Sequence, residues 1–185
     1  MSILLENQFH CTTGPLAQFF SSLDVHNQEA LSLFEVQRFA EAFCVRHAIS
    51  FVHKKILLLM VAKGFSKYNQ SSSRLSFSDL LPYARKLLFV FASSQTNAAE
   101  YQQDARQKHA RLSKGKAHIT TSDLAEYCAS CLPCLMPNKK ILALFFAYTI
   151  HQICSHHPGC SEHGISQEAW TETALGLFFE IEHIV

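Results

Sequence analysis

Apolar residues along this chain of 185 residues recur at the spacing of α-helices. The stretch 51–67 carries apolar residues at helical positions, 137–153 is strongly apolar, and 98–112 is predicted to be a polar helix with few core positions. Pro15 suits the first turn of another helix, which is predicted to end near Leu23. The sequence has no Asn-Gly or Asp-Gly hairpin dipeptide and no alternating strand pattern. These features predict an all-α fold.

A short motif repeats along the chain with a nearly constant period. Each copy has a branched apolar residue, then Ser or Thr, then two residues and, in most copies, an acid. The copies begin 44, 44 and 46 residues apart, at Leu31, Leu75, Ile119 and Ile165. A Ser or Thr side chain at a helix start accepts a hydrogen bond from a backbone N–H, and the acid bonds back to the capping residue. The motif therefore predicts four helix starts and a repeated unit.

The layout of each unit is a helix, a loop of about a dozen residues with an apolar eighth position and an acidic twelfth, and a second helix. In this layout, residues 14–185 resemble a member of the EF-hand superfamily. The resemblance implies four degenerate EF-hand-like helix-loop-helix units packed as two pairs. It also implies that the eighth residues pair across the loops, Leu31 with Leu75 and Ile119 with Ile165.

The resemblance divides the chain into an N-terminal extension over 1–13, a first EF-hand-like pair over 14–95 and a second pair over 96–185. The small polar stretch Ala92–Asn97 lies near the boundary between the pairs. It either links two separate halves or bends within one compact body, and composition alone does not decide between them.

The first loop is the best match to a calcium site. Counted from Asp24, the ligand positions hold Asp24, His26, Gln28 and Glu35. Two departures weaken the match, since Glu29 stands where glycine normally permits the sharp turn, and His26 offers nitrogen where Ca²⁺ prefers oxygen. The resemblance thus implies at most a weak calcium sensor here.

The other three loops depart further from a calcium site. The second, 69–79, has one acid and an arginine, and the third, 113–123, has Lys114 and Lys116 in place of carboxylates. The fourth, 154–164, is too long and contains a single acid. Too few carboxylates remain to offset the dehydration of Ca²⁺. We therefore expect a scaffold that is mostly independent of calcium.

A rival signal is a cluster of cysteine and histidine. Zinc binds thiolate and imidazole in a tetrahedron, and two helical ligands with two across a turn could supply four. The spacing matches no standard zinc finger, so a zinc site and an ordinary histidine-rich surface both stay open. The candidate ligands are His151, Cys154, His156, His157, Cys160 and His163.

A second group of cysteines is spaced by three residues. Cys128, Cys131 and Cys134 fall on nearly one helical stripe, which is typical of small core residues, although joint ligation with the fourth loop is conceivable. Pro133 predicts that the helix ends before Cys134.

Composition narrows the class of protein. With 48% hydrophobic and 17% charged residues the chain is not disordered, and a net charge of +1 gives no overall attraction to nucleic acid. The basic stretch Arg106–Lys116 fits a solvated helix face better than a binding patch. Residues 1–6 lack a secretory pattern, the longest apolar runs are too short to span a membrane, and the seven cysteines are odd in number. An intracellular, cytoplasmic protein is expected.

No catalytic pattern emerges from the sequence. It has no Gly-x-Ser-x-Gly or phosphate-loop motif and no distinctive nucleophile with its base, so we predict a non-enzyme without a cofactor.

EF-hand pairs present an apolar groove to a partner's amphipathic helix. The resemblance therefore implies an adaptor or regulatory subunit. The alternatives are a zinc-stabilised regulatory domain and a helical bundle unrelated to EF-hands. Phenylalanines that fit the groove or the core are Phe39, Phe43, Phe89, Phe91, Phe145, Phe146, Phe178 and Phe179.

Overall fold

The structure, a computed structural model, describes residues 14–68, 73–80 and 98–173. Its helices are α1 (Pro15–Leu23), α2 (Leu33–Arg46), α3 (Phe51–Tyr68), α4 (Ala98–Leu112), α5 (Thr121–Cys131) and α6 (Lys139–Cys154). Residues 77–80 and 167–173 are also helical. The strands are β1 (Ala30–Ser32), β2 (Arg74–Ser76), β3 (His118–Ile119), β4 (Cys160–Ser161) and β5 (Gly164–Ser166). The chain is therefore mainly helical, as predicted, with small antiparallel sheets.

Several sequence predictions fall outside the described residues. They are the N-terminal extension 1–13, the polar stretch 92–97 with the boundary between the two pairs, and four of the candidate groove residues, Phe89, Phe91, Phe178 and Phe179.

All four predicted helix starts are confirmed. In three of them the capping hydroxyl accepts from the N–H of the acid three residues on, and the acid accepts from the N–H of the capping residue. These pairs are Ser32 with Glu35, Ser76 with Asp79, and Thr120 with Asp123. In the fourth, Ser166 accepts from the N–H of Ala169, whose side chain has no oxygen to return the bond.

The predicted pairing of the repeats is also confirmed. Strands β1 and β2 are antiparallel with Leu31 opposite Leu75, and β3 and β5 are antiparallel with Ile119 opposite Ile165. The long fourth loop adds β4, which pairs with β5 and makes a three-stranded sheet. This hairpin accounts for the extra length of that loop, and no turn dipeptide in the sequence signals it.

The two halves of the described chain share their core. Leu16 and Phe19 of α1 belong to the same buried cluster as Ile150 of α6 and Trp170. In a second cluster, Phe43 of α2 and Leu57 of α3 pack with Tyr148 of α6. Contacts of this kind bury apolar surface from both halves at once. The packing therefore favours one body over two separate lobes.

The second cysteine group is split by the end of α5. That helix ends at Cys131, just before Leu132 and Pro133, as the proline predicts. Cys128 is buried, while Cys131 and Cys134 are exposed. The expectation of a core position is therefore wrong for Cys131, whereas Cys134 lies beyond the end of α5, as Pro133 predicts.

Candidate functional site

The first loop, Asp24–Glu35, connects α1 to β1 and α2. Asp24 is buried, and its Oδ1 accepts a hydrogen bond of 3.1 Å from the backbone N–H of Gln28. Asn27 and Glu29 both have left-handed backbone, with φ of +50° and +54°. The loop therefore makes its sharp turn with Glu29 in the position where glycine was expected.

Glu35 is the most deeply buried acid of this loop. Its carboxylate accepts hydrogen bonds of 2.7 Å from both the backbone N–H and the hydroxyl of Ser32. Burial acts to raise the pKa of Glu35, but the Ser32 hydrogen bonds and the charges of Arg74 and His26 lower it below its ordinary value. Glu35 is therefore ionised at neutral pH although its side chain is 1% exposed.

Arg74 brings a positive charge into the first loop from β2. Its Nε and Nη2 donate to the carbonyl oxygen of Ala30 at 3.1 and 2.6 Å. Nη2 also lies 3.3 Å from Oε2 of Glu35. The predicted register gives this contact, because pairing Leu31 with Leu75 sets Ser32 opposite Arg74. Sequence reasoning noted the arginine but missed its partner.

The four candidate calcium ligands do not share one environment. Asp24 and Glu35 are buried, whereas the side chains of His26 and Gln28 are exposed. Across the described residues, no group of three or more His, Cys, Asp or Glu side chains is placed to hold a metal ion.

The third loop has its own basic partners. Hydrogen bonds from Thr120, opposed by burial and helped by the charge of Lys116, lower the pKa of Asp123. Lys116 Nζ lies 3.5 Å from Asp123 Oδ1, and Lys114 Nζ lies 2.7 Å from Glu126 Oε2. Two lysines that replace expected carboxylates thus form ion pairs with nearby acids.

The cysteine and histidine cluster around α6 and β4 is only partly brought together. His151 Nε2 lies 3.8 Å from the sulfur of Cys160. Cys154 is fully buried, and this burial, with the nearby Cys160, raises its pKa to about 12. His157 forms a 2.5 Å contact with Glu172 instead of facing a cysteine.

The remaining candidates, His156 and His163, are exposed. A zinc site therefore remains a prediction, and it needs side chains of this segment to move and Cys154 to lose its proton. Its test is thermal unfolding of untagged protein with zinc, compared between the wild type and Cys154→Ser or Cys160→Ser variants.

The predicted phenylalanine groove is largely filled. Phe39 and Phe145 lie 5.9 Å apart between ring centroids, and Phe43 and Phe145 lie 5.2 Å apart. Tyr148 stacks on Phe39 at 5.6 Å. These rings of α2 and α6 contact one another in the second cluster, in which Phe43 and Tyr148 are buried and Phe39 and Phe145 are partly buried. Phe43 is therefore a core residue, and Phe39 and Phe145 are packed against that core.

An exposed apolar surface lies instead on α3. Phe51, Val52 and Leu59 are 72%, 64% and 70% exposed. Lys55 and Lys63 are also exposed and lie on the same side of the helix, four residues on either side of Leu59. We call these five residues the α3 face. The apolar spacing of 51–67 predicted this helix but not which of its sides is exposed, although its lysines and its lack of any acid were visible signals.

Comparisons with protein-family models, with curated proteins and with solved structures found no match for this chain. No relative therefore supplies residue roles for the loops, for the cysteine and histidine cluster or for the α3 face.

Proposed function

We propose that this protein is a non-catalytic adaptor or regulatory subunit that binds an amphipathic helix of a partner protein on its α3 face, without requiring calcium. The observation that carries the proposal is the exposure of Phe51, Val52 and Leu59 on one helix. Exposed apolar patches on folded proteins commonly mark interfaces. Covering one such side chain contributes about 1.5–3 kcal/mol.

The geometry of α3 suits a helical partner. Val52 and Leu59 are seven residues apart, so they lie two turns apart on the same side of the helix. Phe51 lies next to this stripe, and the Lys55 ammonium is 5.4 Å from the centre of its ring. On the opposite side, Leu57 is buried in the cluster that joins α3 to α2. One side of α3 thus packs against the core, while the apolar stripe on its other side is exposed to solvent.

The charge of α3 specifies the partner further. The helix has four lysines and no Asp or Glu, and Lys54 pairs with Glu41 of α2 at 3.2 Å. Lys55 and Lys63 flank Leu59 on the exposed face. A partner helix with Asp or Glu beside its apolar stripe complements this arrangement.

A helix is favoured over a lipid surface because of where the lysines lie. Lys55 falls between Val52 and Leu59 along the face, so inserting these residues into hydrocarbon would also carry an ammonium inward. Carboxylates of a partner helix can pair with the same ammonium groups while the apolar residues are covered.

The proposal is tested with two synthetic amphipathic peptides that match the 18 residues of α3 in length. Both have the same leucine stripe, but one has glutamates beside it and the other has lysines. Fluorescence anisotropy should detect binding of the glutamate peptide alone. Leu59→Asp should weaken that binding at least about tenfold.

Leu135→Asp is the matched control, since Leu135 is 96% exposed and belongs to the segment between α5 and α6, outside the α3 face. It should bind the peptide like the wild type. Three outcomes contradict the proposal: equal binding of both peptides, an equal loss in Leu135→Asp, or binding to phosphatidylserine vesicles without binding to either peptide.

The proposed scaffold is that of a degenerate EF-hand protein with two pairs of units. It is supported by the paired Leu31 and Leu75, the paired Ile119 and Ile165, and the helix that begins directly after each loop. A bundle in which the repeats were coincidental gives no reason for these register matches.

A further inference from the structure

Two oxygen atoms of the first loop, called loop one below, accept hydrogen bonds from the same nitrogen of Arg74. Nη2 of Arg74 lies 2.6 Å from the carbonyl oxygen of Ala30 and 3.3 Å from Oε2 of Glu35. Both oxygens therefore face the same positive group, the guanidinium of Arg74. The other carboxylate oxygen, Oε1 of Glu35, is buried and has no hydrogen-bond partner among the described residues.

We propose that the guanidinium of Arg74 is the resident cation of loop one, in a binding site that takes Ca²⁺ when Arg74 is removed. The inference is independent of the proposed partner helix, since its test contains no second protein.

The burial of Glu35 explains why the loop needs a cation. An ionised carboxylate that is removed from water is costly unless charge and hydrogen bonds compensate for it. The Ser32 cap bonds Oε2, and the described chain supplies no hydrogen bond to Oε1. Positive charge beside the carboxylate lowers this cost, and Arg74 provides it.

The fold delivers Arg74 to this place. The β1–β2 pairing sets Arg74 opposite Ser32, the N-cap of α2, which also donates hydrogen bonds to the Glu35 carboxylate. The guanidinium also holds the Ala30 carbonyl through Nε, so it is fixed at two points and is 29% exposed. A partly buried, forked contact of this kind differs from an ordinary surface ion pair.

The chemistry of the oxygens selects the metal. Backbone carbonyl and carboxylate oxygens are hard ligands, which Ca²⁺ accepts at about 2.3–2.6 Å. Asp24, a second buried acid, begins the same loop, and His26 is near enough for its charge to affect Glu35. With Arg74 present, its charge and volume exclude a second cation from these oxygens.

The experiment measures thermal unfolding and calorimetric calcium binding on the full chain. Wild-type protein should unfold at the same temperature in chelator and in about 10 mM Ca²⁺. Arg74→Gln keeps polarity and much of the length but removes the charge, and Arg74→Ala also opens space. Both should unfold about 5 °C lower in chelator and recover by about 3 °C in calcium.

Lys116→Ala is the matched control. Lys116 pairs with Asp123 of the third loop, but its side chain is 59% exposed. Its removal should change the unfolding temperature by no more than about 1 °C and should create no calcium response.

A double variant keeps the test informative if the single variants do not fold. Arg74→Gln combined with Glu35→Gln removes both charges, so it should be more stable than Arg74→Gln alone. Calcium should not stabilise the double variant, because it lacks the carboxylate.

Three results overturn the inference. The first is a calcium-dependent rise in the unfolding temperature of the wild type, which shows that the site is open with Arg74 in place. The second is a folded Arg74→Ala protein that gives no calorimetric response to calcium. The third is a double variant that is no more stable than Arg74→Gln.

Discussion

Glu29 carries backbone strain within loop one. Its φ of +54° lies in the left-handed region, where a residue with a Cβ pays about 1–2 kcal/mol. Glycine adopts the same backbone without this steric cost, although it loses more entropy on folding. The neighbouring Gln28 does not have positive φ and provides a direct comparison in the same turn.

Replacing Glu29 with glycine should therefore stabilise the protein by about 1 kcal/mol. Gln28→Gly is the control and should destabilise by about 0.5–1 kcal/mol, since it adds flexibility and relieves no strain. Urea unfolding followed by circular dichroism measures both. Equal destabilisation by the two substitutions would show that Glu29 is not strained.

Gly164 controls an entire element, the sheet formed by β3, β5 and β4. It has φ of +128°, and a Cβ placed there would collide with the carbonyl oxygen of Ile119. That carbonyl belongs to β3, so the close approach of the two strands depends on the missing side chain. The collision is with backbone and cannot be relieved by a rotamer change.

Gly164→Ala should lower the free energy of unfolding by about 2–3 kcal/mol or more, because it adds both a clash and backbone strain. Gly115→Ala is the matched control, since Gly115 also has positive φ but open space around its Cα. It should cost about 1 kcal/mol. The two values come from urea unfolding curves, and a similar loss at both glycines would argue against the β3–β5 contact.

The elements that sequence predicted correctly are those with local signals. Each capping serine or threonine and its acid lie three residues apart, so the four helix starts depend on short-range hydrogen bonds. The interior position of Phe43 and the outward position of Leu59 depend on tertiary packing, which helical periodicity cannot assign. The β4–β5 hairpin was missed because its turn has no Asn-Gly or Asp-Gly signal. The metal candidates beside it stayed ambiguous because the spacing of histidine and cysteine in the sequence does not fix their geometry.

At the scale of the whole molecule, one buried and two half-buried histidines connect folding to pH. His109 of α4 is buried, and its Nε2 lies 3.2 Å from the carbonyl oxygen of Ile165 in β5. Burial lowers its pKa, the Ile165 hydrogen bond opposes this, and the charge of His118 adds to the lowering. Burial likewise lowers the pKa of His47 and of His151. All three groups favour the neutral form in the folded state.

A lowered histidine pKa makes the protein less stable in mild acid. Between the folded pKa and the ordinary value of 6.5, the unfolded chain binds a proton that the folded chain does not. The unfolding temperature should therefore fall as the pH drops below about 6.5 and should level off beneath the folded pKa. His109→Gln, which does not titrate, should flatten this fall, whereas His163→Gln, at an exposed position, should leave it unchanged. Melting curves in chelator from pH 7.5 to 5 test the expectation, and an identical slope in the wild type and His109→Gln would remove His109 as a source of the acid sensitivity.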